Sequence, residues 1–318
     1  MTSICCEYTH EPISELLNDE STFAVFSFNG DTQPASDPRH INTGLQQLAN
    51  TKLAEVWRSS LPVSTGTTVD GISWSSNGEL LFCALQIEQP ANDHLSSKIE
   101  HSYTQLLQFI GHKQFPYIHR AWNYLPDITA GDDDTERYKQ FCLGRHTAFE
   151  QHAKPYEYPA ACALGHHSGN IIVYLLASAT PGLHVENPKQ LSAFKYPRQY
   201  GPRSPSFARA TLAGSQLYIS GTASIRGHET LHRNCLTSQL ALTLDNIDEL
   251  LQHAQQSHQL ASTPKASLLK VYIRHPEDYP TIKAAVENHF NNASILYVQA
   301  DICRQELLVE IDGQCSKP

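Results

Sequence analysis

Residues 71–88 read GISWSSNGELLFCALQIE and residues 95–112 read LSSKIEHSYTQLLQFIGH. Asn77-Gly78 is the strongest short-range hairpin signal, because both residues tolerate the positive φ that tight turns demand, and strand-forming residues flank it. In the second stretch Ile99, Tyr103, Leu106, Leu107 and Ile110 recur at helical spacing, which predicts one buried helix face. A hairpin followed at once by an amphipathic helix makes a sheet with a helix on one face. Working outward, FPYIHRAWNYL (115–125) reads as a strand. DDTERYKQFCLGRHTAFEQH (133–152) reads as a helix opened by acids, and GNIIVYLLAS (169–178) as a strand. The order is ββαβαβ.

The second half repeats it. SFARATLAGSQLYISGTAS (206–224) gives two strands around Gly214, LTSQLALTLDNIDELLQHAQQS (236–257) a helix, and SLLKVYIRH (267–275) a strand. DYPTIKAAVENHF (278–290) gives another helix, and ILYVQADICRQELLVEIDG (295–313) one or two closing strands. The halves share element order rather than residue identity. Two similar α+β units are therefore expected, 1–155 and 156–318, each a mixed sheet with its helices packed on one face, the second carrying most of the functional residues. HVENPKQLSAFKYPRQYGPRSP (184–205) is a proline-rich connection without steady period, the kind of long loop that often carries function.

Composition removes several classes. A chain of 318 residues, 40% hydrophobic, with a mean hydropathy of -0.37, has the material for a folded globular protein. No apolar run approaches the roughly 20 residues of a membrane helix, and MTSICCEYTHEPISELLNDE has acids where a signal peptide is basic and then apolar; a cytoplasmic location with no membrane partner is expected. The eight cysteines form no C-x-x-C pair, so neither a zinc ribbon nor a disulfide framework is indicated. A net charge of -9 argues against nucleic-acid binding. Homo-oligomer formation stays open at this level.

Four features bear on chemistry. His228, Glu229 and His232 in RGHETLHR (226–233) have the H-E-x-x-H spacing of a zinc protease helix. The apolar periodicity such a helix needs is missing before His228, and Glu249 is the sole downstream Glu placed to be a third ligand, so a turn is the better reading. In GHHSG (165–169), His166 and His167 are adjacent on a strand and point different ways, which disfavours a shared metal. Arg198, Arg203 and Arg209 lie with Tyr196, Tyr200, Ser204 and Ser206 in a stretch without an acid from Lys189 to His228. Guanidinium forks and hydroxyls suit a carboxylate ligand, although solvated loop arginines would look the same. In CRQELLVEIDG, alternation puts Glu306 and Glu310 on one side of a strand, opposite Leu307, Val309 and Ile311. That side is either a solvated acidic edge or the wall of a cleft where a carboxyl is held protonated.

RAWNYLPDI (120–128), YKQFCLGR (138–145), YPRQYGPRSPSFARA (196–210), SGTASIRGHET (220–230) and ADICRQELLVEIDG (300–313) resemble the chorismatase family. The first hundred residues carry little of that resemblance. It implies a fold like the Rid (YjgF-like) proteins, and cleavage of chorismate to pyruvate and 3-hydroxybenzoate, with 4-hydroxybenzoate allowed as co-product, without metal or organic cofactor. Within the resemblance Glu310 is the catalytic acid. Cys303 stands where members making 3-hydroxybenzoate have Cys and members releasing a dihydroxycyclohexadiene carboxylate have Ala. Tyr200, Arg203 and Arg209 hold the substrate carboxylates, and Asn123 and Arg145 line the pocket. GHET belongs to one of these blocks, so His232 completes the zinc spacing by coincidence. The sequence departs from the antibiotic-pathway members at GHHSGN, which leaves the product ratio open. A Rid-like imine deaminase or a small-carboxylate binding protein is the alternative.

Overall fold

The computed structural model describes residues 4–49, 51–89, 94–152, 158–167 and 169–316. The chain opens with β1 (Ile4–Thr9), α1 (Ile13–Asn18), β2 (Thr22–Ser27), β3 (His40–Asn42), β4 (Gln46–Gln47) and β5 (Ala54–Ser59). Four of these strands form a sheet of order β1-β5-β2-β3 that sequence reading did not foresee. Its pattern is hard to read because the central strands β2 and β5 are buried on both faces. Val25, Ala54 and Val56 pack under Leu16 of α1, while Phe26 and Trp57 turn inward.

The expected hairpin and helix follow. They belong to the run β6 (Ser64–Thr67), β7 (Ser73–Ser76), β8 (Leu80–Ile87), α2 (Leu95–His112), β9 (Tyr117–Pro126), α3 (Arg137–His152), β10 (Ala160–His166) and β11 (Ile171–Ser178). Gly78 has φ +85°, and the Asn77 side-chain oxygen accepts from the Glu79 and Leu80 amides, which fixes the β7–β8 turn. The second run comprises β12 (Leu183–Val185), β13 (Ala210–Ala213), β14 (Gln216–Thr222), β15 (Ile225–Arg226), β16 (Glu229–Thr230), α4 (Leu236–Ser257), β17 (Lys265–Ile273), α5 (Tyr279–His289), β18 (Ser294–Gln299), β19 (Asp301–Ile302) and β20 (Val309–Ser316).

Two seven-stranded sheets result, β19-β10-β9-β11-β8-β7-β6 and β12-β13-β14-β20-β17-β18-β4. The inner five strands match one for one. A hairpin, a helix and a strand lead through a second helix to a parallel neighbour, and a last strand then inserts antiparallel at the sheet centre, as β11 between β8 and β9 and as β20 between β14 and β17. Each unit is thus ββαβαββ, one strand longer than the ββαβαβ read from sequence. In the first unit β10 was the strand passed over; its short, small-residue run AACALGH reads weakly by propensity. The boundary expected between 155 and 156 lies outside the described residues. β10 and β11, which follow it, belong to the first sheet.

Strand alternation sorts the cores. Leu81, Cys83, Val173 and Leu175 pack under α2 and α3, and Leu269, Val271, Val309 and Ile311 under α4 and α5. The opposite faces of both sheets meet the N-terminal sheet in one central core, where Phe26, Trp57, Phe82, Trp122, Tyr174 and Tyr272 assemble. Buried charge runs through this layer: Lys270 pairs with Glu55 at 2.7 Å and Arg120 with Asp312 at 2.6 Å. No described helix is long and apolar enough to cross a membrane.

Candidate active site

Between the two units lies a cavity of about 360 Å³. Its walls come from β9, α3, β10, β14, the loop before β13 and the segment joining β19 to β20. That last segment explains much of the geometry. β19 pairs with β10 on the edge of the first sheet, whereas β20 sits at the centre of the second, so the chain crosses between sheets within a few residues. Cys303 and Arg304 begin the crossing and Glu310 lies just beyond it.

Glu310 is 4% exposed and shares the helix-free face of β20 with Asp312. Burial pushes its carboxyl up to about 8, the Asp312 charge adds to the shift, and Arg120, Arg209 and Arg304 oppose it. Near neutral pH the group is therefore a protonated acid. Space for it is made by Gly221 on β14: a Cβ there would stand 1.8 Å from Glu310 Oε1 and 3.1 Å from the Cys162 Cβ. The half-buried Cys303 also lines the cavity. Burial pushes its thiol up, with Glu310 adding and Arg304 opposing, so sulfur keeps its proton at neutral pH.

The basic wall is built from three directions. Arg209 donates through Nη2 to the Leu191 carbonyl and to the Tyr196 hydroxyl, each at 2.8 Å, and lies against Phe207. Arg145, from α3, donates to the Ser206 carbonyl and lies over Phe149 and Tyr103, at 4.7 and 5.1 Å from the ring centres. Arg304 stacks on Tyr200 at 4.1 Å. Asn123 accepts from the Tyr103 hydroxyl and donates to the Cys162 carbonyl at 2.8 Å, which holds its side chain at the wall.

Of the residues anticipated from sequence, Glu310, Cys303, Tyr200, Arg209, Asn123 and Arg145 line this cavity. Arg203 does not. Its exposed side chain lies 3.9 Å from Glu150 on the surface, and Arg304 occupies the wall instead. Arg198 is also exposed and pairs with Asp134. Glu306 departs from the strand alternation assigned to it, because β20 begins only at Val309; Glu306 sits in the preceding turn, where it also borders the cavity, 3.6 Å from Arg233. Arg304 and Gly221 were missed although both fall in quoted blocks. An arginine beside Cys303 was a readable signal, whereas no local pattern says that a strand glycine faces a carboxylate.

The H-E-x-x-H spacing lies on no helix. Ile225–Arg226 and Glu229–Thr230 form a small antiparallel ribbon, and His232 has φ +58°. The ribbon supports the cavity. The His228 carbonyl and Thr230 hydroxyl accept from Arg304 Nη1 at 2.9 and 3.0 Å, and His228 Nδ1 lies 3.2 Å from the Tyr200 hydroxyl. His166 is buried and His167 exposed, so the pair diverges; Ser168 of that motif lies outside the described residues.

A cavity with a buried acid, its carboxyl pushed up, facing several guanidinium groups defines an enzyme site for an anionic small molecule. Comparison with known proteins narrows this. The model for the N-terminal part of FkbO/Hyg5-like chorismatases matches residues 55–177. A 3-hydroxybenzoate synthase of Streptomyces hygroscopicus is 36% identical, with 82% of this chain and 80% of the relative covered. A chorismatase of Streptomyces rapamycinicus is 32% identical, with 98% of each chain covered. A chorismatase crystal structure superposes with a TM-score of 0.88 at 29% identity, covering 99% of both chains. The chain belongs to the chorismatase family.

Proposed function

We propose that this protein cleaves chorismate to pyruvate and 3-hydroxybenzoate, with 4-hydroxybenzoate allowed as a co-product. The observation that carries the reading is the buried Glu310, its carboxyl pushed up to about 8, in a cavity that also holds Cys303 and the arginines, in a chain 36% identical to a 3-hydroxybenzoate synthase.

Chorismate carries a ring carboxylate and an enolpyruvyl ether with a second carboxylate. Arg209, Arg145 and Arg304 hold the carboxylates, and the Tyr200 hydroxyl, set by His228, helps fix their oxygens. The ether oxygen lends electrons to the terminal methylene, which takes the proton of Glu310. The resulting oxocarbenium-like centre activates the ether as a leaving group. The neighbouring ring hydroxyl oxygen then attacks the ring carbon that bears the ether. That ring carbon–oxygen bond breaks, pyruvate leaves with the ether oxygen as its keto oxygen, and the hydroxyl proton returns to the Glu310 carboxylate. An arene oxide remains. Its opening to a phenol is an isomerisation, so substrate and products hold the same atoms and neither water nor a net proton is consumed. Breaking one epoxide bond gives the 3-hydroxy acid and breaking the other gives the 4-hydroxy acid. Cys303, kept as a thiol, donates its proton to the opening oxygen and recovers one from the ring.

The direct test incubates the purified protein with chorismate alone and separates the products by chromatography. Pyruvate is expected in an amount equal to the two hydroxybenzoates together, with 3-hydroxybenzoate present. Untouched chorismate would favour an imine deaminase or a binding protein, which could use the same arginines.

Two substitutions probe the assignments further. Cys303→Ala should still release pyruvate, because ether cleavage precedes the thiol's step, while 3-hydroxybenzoate gives way to 4-hydroxybenzoate or a non-aromatic dihydrodiol. An unchanged ratio at full activity would leave Cys303 as a packing residue. Arg304→Ala should raise KM and lower kcat, about 10-fold or more in kcat/KM, since the stacked guanidinium both binds and orients. Arg203→Ala, by contrast, should stay within about 2-fold of wild type, because its exposed side chain does not line the cavity. Equal losses in both would place Arg203 over the bound substrate.

A further inference from the structure

Glu310 is not alone on its strand face. Two residues further along β20, Asp312 is 2% exposed and points to the same side. It is clamped there: Arg120 on β9 donates to Oδ2 at 2.6 Å, and the Tyr272 hydroxyl on β17 donates to the same oxygen at 2.9 Å. Arg120 is itself fully buried and lies over Trp122, and Tyr272 is tied through Tyr124 to Tyr174 by hydroxyl contacts of 3.0 and 3.1 Å. The antiparallel register sets Tyr272 opposite Glu310 and Lys270 opposite Asp312. Lys270 is bonded to Glu55, so the ammonium is already neutralised locally. Cys162 on β10 stands 4.0 Å from the Tyr272 hydroxyl. The charges acting on Glu310 thus divide by side, with Asp312 and its Arg120 partner behind it and Arg209 and Arg304 on the cavity wall.

We propose that Asp312 is a positioning residue for the acid step: an anion locked by Arg120 and Tyr272 on the strand face of Glu310, whose charge keeps the proton on Glu310 for transfer to the substrate. The assignment rests on the reading of Glu310 as the acid. Its physical basis is that two carboxylates on one buried strand face resist ionising together, and the one with two direct donors holds the charge. The direction of the shift on Glu310 agrees, since Asp312 is the largest charge contribution raising it. A second consequence follows. Arg209 and Arg304 pull toward ionisation in the empty cavity, and bound substrate carboxylates neutralise that pull while Asp312 stays in place. The acid is therefore more firmly loaded when substrate is present.

The test is the pH dependence of chorismate cleavage, followed by pyruvate release, in wild type, Asp312→Asn and the double variant Arg120→Gln/Asp312→Asn. The double variant replaces the buried ion pair by two amides and carries the test where the single change, which strands the Arg120 charge, fails to fold. In Asp312→Asn the basic limb of kcat/KM should move down by about one pH unit, with activity recovering toward wild type at lower pH, and in the double variant it should move the same way by less, because the Arg120 charge that opposed Asp312 goes with it. A limb that stays where it was, with kcat lowered equally at every pH, would reduce Asp312 to a structural residue and overturn the proposal. Failure of the underlying reading looks different: the wild-type protein itself would release no pyruvate, or would keep its limb in Glu310→Gln.

Discussion

Glu310→Gln is expected to bind chorismate with near-normal affinity and to release pyruvate on the order of 100-fold more slowly or worse, the scale of removing a general acid. Glutamine has the volume and one of the hydrogen-bonding patterns of a protonated glutamate, so the cavity should keep its shape. It lacks the acidic proton that the enolpyruvyl methylene must receive. Near-normal turnover in this variant would sink the assignment. The pH dependence gives a second handle. With the Glu310 carboxyl pushed up to about 8 from its ordinary 4.5, the wild-type kcat/KM should fall as pH rises through about 8, where the free enzyme loses the proton. The sign for stability is the same. A carboxyl that holds its proton more tightly folded than unfolded favours the native state at low pH, and that contribution is lost as pH climbs from 4.5 through about 8. In Glu310→Gln both dependences should flatten.

Gly221→Ala should be nearly as damaging, for a reason that has no chemistry in it. The added Cβ would fall 1.8 Å from Glu310 Oε1, far inside contact distance. The atom it meets is the far end of a side chain, which can swing away, so the fold should survive at modest cost. The acid should not stay in register with its substrate. A displacement on the order of 1 Å in a reacting group costs about 100-fold in rate, and Gly221→Ala is expected to lose about that much kcat while its melting temperature falls only a few degrees. An alanine variant with full activity would mean that the carboxylate works from another rotamer, turned away from β14.

How legible all this was in the sequence differs by level. The hairpin at Asn77-Gly78, the helix with Ile99, Tyr103 and Leu106 inward, and the repeated order of the two halves followed from turn chemistry and period alone. The N-terminal sheet was hard to see because its central strands β2 and β5 are covered on both faces, which erases the alternation that marks a half-buried strand. The resemblance blocks pointed to Glu310, Cys303 and Arg209, all of which border the cavity, but a block of similar residues does not say which of its arginines turns inward. Arg203, expected at the site, lies on the surface for that reason, and Arg304, which no reading singled out, lines the wall. The zinc-like spacing of His228 and His232 was undone by Gly227 and a ribbon turn, since the spacing means a shared face only on a helix.

By itself, then, the sequence determined the elements and the chemical vocabulary of the site, because side-chain alternation, helical period and turn preference act between near neighbours. The tertiary structure decided what those groups can do. The proton on Glu310 depends on the burial created when two sheets close over it. It depends also on Asp312, held by an arginine 192 residues away along the chain, and on the missing side chain of Gly221 one strand across. Electrostatic environment and steric clearance are sums over everything nearby in space, and only the folded chain fixes which residues those are.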